Sequence, residues 1–372
     1  MSRFAVVGAG HAGVEGAFIL ANAGHQVTLW SAETGELPYF RPRLIAVAFG
    51  QATPEAIRIK PAEAYAKAGI TLAYAPVTQL SATPTPSVNG EAFDGILLAN
   101  GSAPFVPPFA GTGAGRIHAL WSMADARAIA AKVAPGKRLT IIGGGVLGLE
   151  SALRAAMAGL RVTVIEVSPR LANGVLGDGG DGILRAALEK KGITLFVGQS
   201  IQTINPSSIT LADGTEIADD DFVLCSTGAR PKAEPATSAG FHFDRGICSA
   251  RDLSVAPGIF VAGDVARPTE ALPICAVRRA QLMGALAAKN LLAPAGETTP
   301  WADPRLPLFM KVEDVEFHTL GDVRSPDLEE RRVDDGSNPT IWQSVLYRNG
   351  QPVGLRFVGT RAGFGDWEKK LS

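Results

Sequence analysis

Short apolar runs alternate with small-residue stretches of helical period along most of the chain. Residues 4–7 read as a buried strand, 14–23 as a helix in which Gly16 and Ala17 permit close packing, and 26–30 as a second strand. The same order recurs mid-chain, with apolar residues 139–142, a small-residue helix and apolar residues 161–165. Between the two copies, 61–69 reads as a short helix with Pro61 in its first turn and Gly69 at its end. Asn89-Gly90 marks a hairpin turn, 94–98 is apolar, and Ser122 caps a helix over 123–133. After the second copy come an amphipathic helix at 178–191 and strands at 193–197, 209–211 and 222–225, with a turn at Asp213-Gly214. Residues 258–265 form a strand ending in Gly263-Asp264. The last stretch alternates like strands at 306–320 and 341–358 and closes with a helix at 364–371; the charged residues 323–335 read as a solvated hairpin or loop. The pattern predicts an α/β protein with two Rossmann-like units and a small α+β C-terminal domain.

Glycines give the repeats their chemistry. At the central copy, Gly143 permits a tight turn off the strand, Gly145 leaves room for a pyrophosphate beside the backbone, and Gly148 lets helix and strand pack closely. The phosphates then sit at the positive end of a helix. Glu166 closes the second strand, where a carboxylate accepts from both ribose hydroxyls of an adenosine and repels a 2′-phosphate; this favours NADH over NADPH. Gly8, Gly10 and Gly13 repeat the device at the N-terminus. That copy departs from the rule, because Ser31 stands where an acid is expected. Glu33 is the nearest carboxylate, and either takes the ribose contact or merely starts a polar loop.

Length and composition narrow the picture. The 372 residues suffice for two or three domains, since single cores stop growing near ~250 residues. A formal net charge of −1 gives no electrostatic case for nucleic acid or an anionic membrane. The uncharged run 95–115 is broken by prolines and glycines, which argues against a membrane span. Cys225, Cys248 and Cys275 are widely spaced in no metal-ligand pattern, so a reduced, cytoplasmic protein without a metal site is expected. In the segment 37–44, Pro38 and Pro42 predict a rigid, extended loop that gathers Tyr39, Arg41 and Arg43; the arginines either neutralise a bound pyrophosphate or are solvated. Asp264 either binds a polyhydroxyl chain or caps a helix start after the strand.

Two dinucleotide fingerprints, the segments Ala99-Asn100-Gly101 and Ser226-Thr227-Gly228-Ala229-Arg230-Pro231, and the Gly263-Asp264 pair, in that order, resemble the FAD-dependent pyridine-nucleotide oxidoreductases over residues 3–292. The resemblance implies a three-layer β/β/α, glutathione-reductase-like fold with the NADH domain (113–237) inserted in a discontinuous FAD domain (1–112 and 238–298), and a C-terminal domain at 299–372. It implies FAD at Gly8, Gly10 and Gly13, NADH at Gly143, Gly145, Gly148 and Glu166, and the flavin's ribityl chain at Asp264; Ser31, Glu33, Arg41, Gly101, Gly228, Gly263, Pro273 and Ile274 are further candidate cofactor-binding residues. Asn100 replaces the family threonine. With no cysteine before Cys225, the dithiol chemistry of the disulfide reductases is excluded.

The segment 38–44 is similar to the PYxRPxLSK loop of the ferredoxin and rubredoxin reductases, and 272–292 to the corresponding helix of the flavorubredoxin reductases. The family lysine of that loop aligns with Ala46, while its glutamate partner is present as Glu150. The expectation is that Arg43 or Arg41 replaces the lysine beside Glu150 as the catalytic pair; otherwise Glu150 faces the nicotinamide amide or water. The activity implied is hydride transfer from NADH to FAD, followed by single-electron transfer to a rubredoxin, flavorubredoxin or ferredoxin, with the protein a monomer or homodimer. Arg267, Arg278, Arg279 and Lys289 are candidates for docking such an acidic carrier, or form a solvated helix face. Two alternatives stand beside this: the flavin component of a nitrite reductase or oxygenase system, and a sensor acting through a charge-transfer complex, as resemblance to apoptosis-inducing factors allows.

Overall fold

The computed structural model describes residues 1–218, 221–268, 275–294, 296–312 and 314–371. Two parallel sheets organise it. In the first, strands lie in the order Ser254–Ala256, Ile259–Val261, Gly95–Leu98, Arg3–Val7, Gln26–Trp30 and Ile70–Ala73, parallel except for the 254–256 edge. The second runs Thr194–Val197, Arg161–Glu166, Arg138–Ile142, Phe222–Cys225 and Ile117–Ala119, all parallel. Both central strands are buried on both faces, which explains why they read as uninterrupted apolar runs.

The second sheet is built entirely between two strands of the first, 95–98 and 259–261. The two connections pair with each other, Ser102–Pro104 antiparallel to Ala229–Pro231. A helix packs on each repeat: His11–Asn22 against Val277–Leu292 in the first, and Val146–Met157 in the second. Small residues make this possible, since a Cβ on Gly284 would overlap the Ala12 carbonyl oxygen. Antiparallel strands Ile201–Ile204, Ser208–Leu211 and Glu216–Ala218 add a further layer to the second unit.

The C-terminal stretch forms a five-stranded antiparallel sheet, Leu308–Val312, Val315–Gly321, Gln351–Val358, Trp342–Arg348 and Glu329–Arg332, with a short helix Phe364–Glu368. The strand Glu329–Arg332 is exposed throughout and pairs only at the sheet edge, so its charges hid it from periodicity. This sheet docks on the second unit through the helix Gly177–Lys190. Arg356 clamps the contact, donating to the Val175 and Val323 carbonyls at 2.9 and 2.7 Å and to Glu330 at 2.5 Å.

One local expectation is corrected. The segment 37–44 is not extended throughout: Arg41–Arg43 is a 3-10 turn leading into the helix Leu44–Ala48, because Pro42 sits in a first turn where no N–H is missed. Among the described residues, no helix is long and apolar enough to cross a membrane.

Candidate functional site

Both glycine turns open into one cavity of about 1290 Å³. Their geometry is duplicated: Gly8 and Gly143 each have φ +108°, and a Cβ on either would overlap a carbonyl oxygen, of Ala99 and Ser226 respectively. Gly13 and Gly148 do not line the cavity; each is buried, against the carbonyls of Gly8 and Gly143. They set the approach of helix to strand. Gly10 and Gly145 are the N-caps of the two helices, with no side-chain cap and no acid in the first turn. Space above Gly10 is open, and at Gly145 only the Asn173 side chain approaches, at 3.4 Å. Two uncapped helix starts with orphan N–H groups facing a cavity suit two pyrophosphates.

At the second turn, the Glu166 carboxylate accepts from the Gly144 N–H at 2.6 Å and the Ser168 N–H at 2.7 Å. These bonds fix its position on the cavity wall and leave further lone pairs for hydroxyl donors. Gly228, in the Ser226-Thr227-Gly228 turn, lines the same wall, with Gln199 and Ser200 joining from a neighbouring loop.

The first turn is finished differently. Ser31 lines the cavity, and its Oγ accepts from the Glu33 N–H at 3.3 Å. The Glu33 carboxylate accepts from the Tyr39 hydroxyl at 2.5 Å, Arg41 at 2.9 Å and the Met123 N–H at 3.2 Å, so it stitches the 33–41 loop to the start of the helix Met123–Ala130. Arg41 also donates to the Trp121 carbonyl. Burial and then Arg41 lower the His11 imidazole to about 4, leaving it neutral at pH 7.

Asp264 follows the strand Ile259–Val261 in a 3-10 turn begun by Gly263, and accepts from the Ser102 hydroxyl at 2.8 Å. Asn100 and Gly101 directly precede Ser102 and line the same cavity. The Asn100 amide donates to the Lys232 and Glu234 carbonyls at 3.1 and 3.0 Å, a role that the single hydroxyl of a threonine could not duplicate. Pro273 and Ile274 lie outside the described residues.

The expected Arg43–Glu150 pair is not formed. Arg43 is exposed and off the cavity wall, and among the described residues neither it nor Arg41 bonds Glu150, because Pro42 and the following helix turn Arg43 outward while Glu33 holds Arg41. Glu150 lines the cavity from the helix Val146–Met157, and burial raises its carboxyl above the ordinary range, opposed by Arg154. Two docking candidates are also corrected: Arg279 is buried on Asp303 at 2.6 Å, and Arg267 is buried and paired with Asp244. Only Arg278 and Lys289 of that set are exposed.

Pattern reading missed His11, Asn173, Lys232 and Arg324, all of which line the cavity. His11 occupies a variable position inside the glycine fingerprint, and the other three arrive from loops distant in sequence. The cysteines are free; Cys225 and Cys275 reach the cavity without forming a pair.

Residues 2–285 match the model of the pyridine nucleotide-disulphide oxidoreductases. The chain belongs to that family. Among curated relatives, a nitric oxide reductase FlRd-NAD(+) reductase of Aliivibrio fischeri is 31% identical over 255 residues, 67% of this chain and 65% of its own length. A probable ferredoxin reductase of Castellaniella defragrans is 31% identical over 278 residues, 71% of this chain and 67% of that protein. An NADH-dependent phenylglyoxylate dehydrogenase subunit epsilon of Aromatoleum evansii is 26% identical over 259 residues, 66% of this chain and 61% of its length. The chain thus spans somewhat under two thirds of the reductase from Aliivibrio. In three dimensions it superposes on a ferredoxin reductase from Rhodopseudomonas palustris with a TM-score of 0.87, at 22% identity over 99% of this chain and 94% of the other. The covalent putidaredoxin reductase–putidaredoxin complex gives 0.85 at 23% identity, with 99% and 92% coverage. These likenesses establish the two-unit glutathione-reductase-like fold.

Proposed function

We propose that the chain is an NADH-dependent FAD reductase that passes electrons to a small iron-protein carrier of the rubredoxin, flavorubredoxin or ferredoxin kind. The observation that carries this reading is the pair of uncapped, glycine-started helices opening into a single cavity, which suits two dinucleotides meeting ring to ring. Bound flavin and nicotinamide would supply hydride acceptance and the release of single electrons. The chain's residues bind and orient: the first turn with Gly8 and Gly10 takes FAD phosphates, Asp264 the ribityl hydroxyls, and the turn with Gly143 and Gly145 the NADH phosphates. Glu166 accepts from the ribose. Glu150 faces the reacting rings, where it orients the nicotinamide amide or holds a proton. One NADH carries two electrons, so two one-electron carriers are reduced per turnover. The names of the Aliivibrio and Castellaniella relatives point to the carrier class. Within this reading the FAD domain comprises 1–112 and 238–298, the NADH domain 113–237 and the C-terminal domain 299–372, in a cytoplasmic monomer or homodimer.

The test is anaerobic bleaching of purified rubredoxin by NADH at several salt concentrations, with NADPH as control. Rapid NADH-dependent bleaching is expected. If the protein takes up no FAD, the reading is wrong at its base. Rapid flavin reduction by NADH without bleaching of rubredoxin or ferredoxin favours a second reading, the flavin component of a larger oxidoreductase system, for which the name of the Aromatoleum relative speaks.

A further inference from the structure

The charged groups of the cavity do not all cancel. Arg41 has the Glu33 carboxylate at 2.9 Å. Glu36 is held by Arg127 at 2.5 Å, and Glu234 turns its carboxylate onto Thr237 and Ser238. Among the described residues, the side chains of Lys232 and Arg324, which also line the cavity, form no ion pair; of the two, Lys232 sits on the N-terminal turn.

Its main chain is fixed at both ends: the N–H donates to the Gly101 carbonyl at 2.9 Å, and its own carbonyl accepts from the Asn100 amide at 3.1 Å. These bonds seat Lys232 on the Asn100-Gly101 turn, which itself packs on the N-terminal glycine turn, where the Gly8 position abuts Ala99 and the Asn100 Cα. The ammonium makes no hydrogen bond or ion pair among the described residues, although it is accessible from the cavity. The cavity walls nevertheless lower its pKa from the ordinary lysine value, by desolvation first and then by Arg41, with Glu33 opposing. Lys232 is exposed, so water solvates its ammonium in the free protein; lining the same cavity as Arg41, it offers a positive charge to an anion bound at the N-terminal turn. The open space above Gly10 at the start of the helix His11–Asn22 belongs to the same turn.

Resting on the reading that the N-terminal unit binds FAD, we infer that Lys232 is the cation that pairs with the FAD pyrophosphate, while Arg41 is committed to Glu33 and braces the loop. The arrangement differs from the expectation that arginines of the 37–44 segment alone neutralise the phosphates. Lys232 lies more than a hundred positions from Asn100 in sequence, and the pairing of Ser102–Pro104 with Ala229–Pro231 brings the two together.

The experiment strips flavin from the full chain and titrates the apoprotein with FAD and with riboflavin, which lacks the phosphates, for the wild type, Lys232→Met, Lys232→Gln and Lys232→Arg. Both neutral variants should lose about tenfold or more in FAD affinity with riboflavin affinity unchanged, and Lys232→Arg should recover most of the loss. The dependence of FAD affinity on salt should flatten in the neutral variants. Equal FAD affinity in the wild type and a folded neutral variant overturns the assignment, as does a parallel loss for FAD and riboflavin. If neither neutral variant folds, the salt dependence of the wild type against Lys232→Arg decides: a salt-insensitive FAD affinity in both overturns it. A wild type that binds no FAD at all overturns the proposed function instead.

Discussion

The carbonyl oxygen of Ser226 occupies the space a Cβ on Gly143 would need, just as the Ala99 carbonyl does at Gly8. Each glycine also has φ +108°, a conformation L side chains rarely adopt. Gly143→Ala should therefore destabilise the second unit by about 1–3 kcal/mol in urea unfolding and raise the KM for NADH, while flavin content stays near that of the wild type. Loss of flavin with NADH affinity intact would contradict the division of labour between the two turns.

Among the described residues Glu150 forms no ion pair: the Arg154 guanidinium one turn along opposes the burial of its carboxylate but donates to Gln51 at 2.6 Å. Burial raises the Glu150 carboxyl, so the folded state holds its proton to higher pH than the unfolded chain does. The sign follows from linkage: this group's cost is absent below the unfolded pKa, grows as pH rises through the interval up to the folded pKa, and is constant above it. Glu150→Gln should thus be as stable as the wild type at acid pH and more stable at neutral pH. A pH-independent difference in Tm between the two would refute this.

Arg43 is exposed and off the cavity wall. Arg43→Ala should leave the rate of flavin reduction by NADH within about twofold of the wild type, since exposed charges contribute little. Stopped-flow reduction checks it, and a tenfold fall would restore Arg43 to the reaction.

How much of this was legible beforehand divides along a physical line. Strand, glycine turn and helix are local devices, so the runs at 4–7 and 139–142 and the cap at Ser122 stand in the sequence and recur in the structure, the cap as a full box with Asp125. The order of the family motifs carried the two-unit fold. Side-chain pairing is not local. Whether Arg41 meets Glu150 or Glu33 depends on how a 3-10 turn aims a guanidinium, and no spacing rule encodes that. Lys232 stayed hidden for the same reason, as did the burial of Arg279 on Asp303 from the following segment.

The glycines that begin the helix Gly177–Lys190 illustrate a third case. They are poor helix formers, yet a Cβ on Gly179 would overlap the Trp342 ring, and one on Gly180 would crowd Val358 at 2.9 Å. Their reason lies in the C-terminal sheet. Gly179→Ala should gain about 0.5–1 kcal/mol in helix propensity and lose about 1–3 kcal/mol by displacing Trp342, a net loss visible in chemical unfolding. A stabilised variant would mean that the sheet does not seat on this helix.

In the proposed function, selectivity between the two nicotinamide dinucleotides rests on Glu166. Its carboxylate is anchored by the Gly144 and Ser168 N–H groups, and Val167 beside it is exposed and offers no positive charge. A 2′-phosphate there would therefore meet a fixed negative charge, whereas ribose hydroxyls would meet acceptors. Replacing Glu166 by Ser alone removes the repulsion and also the hydroxyl acceptor, so NADH use should fall more than NADPH use rises. Adding Val167→Arg supplies a guanidinium suited to phosphate. The ratio of kcat/KM for NADPH to that for NADH should rise by about tenfold in the single variant and by about a hundredfold or more in the double, corresponding to roughly 1.4 and 2.8 kcal/mol. An unchanged ratio in the double variant would mean that the adenosine ribose lies away from the end of the strand Arg161–Glu166.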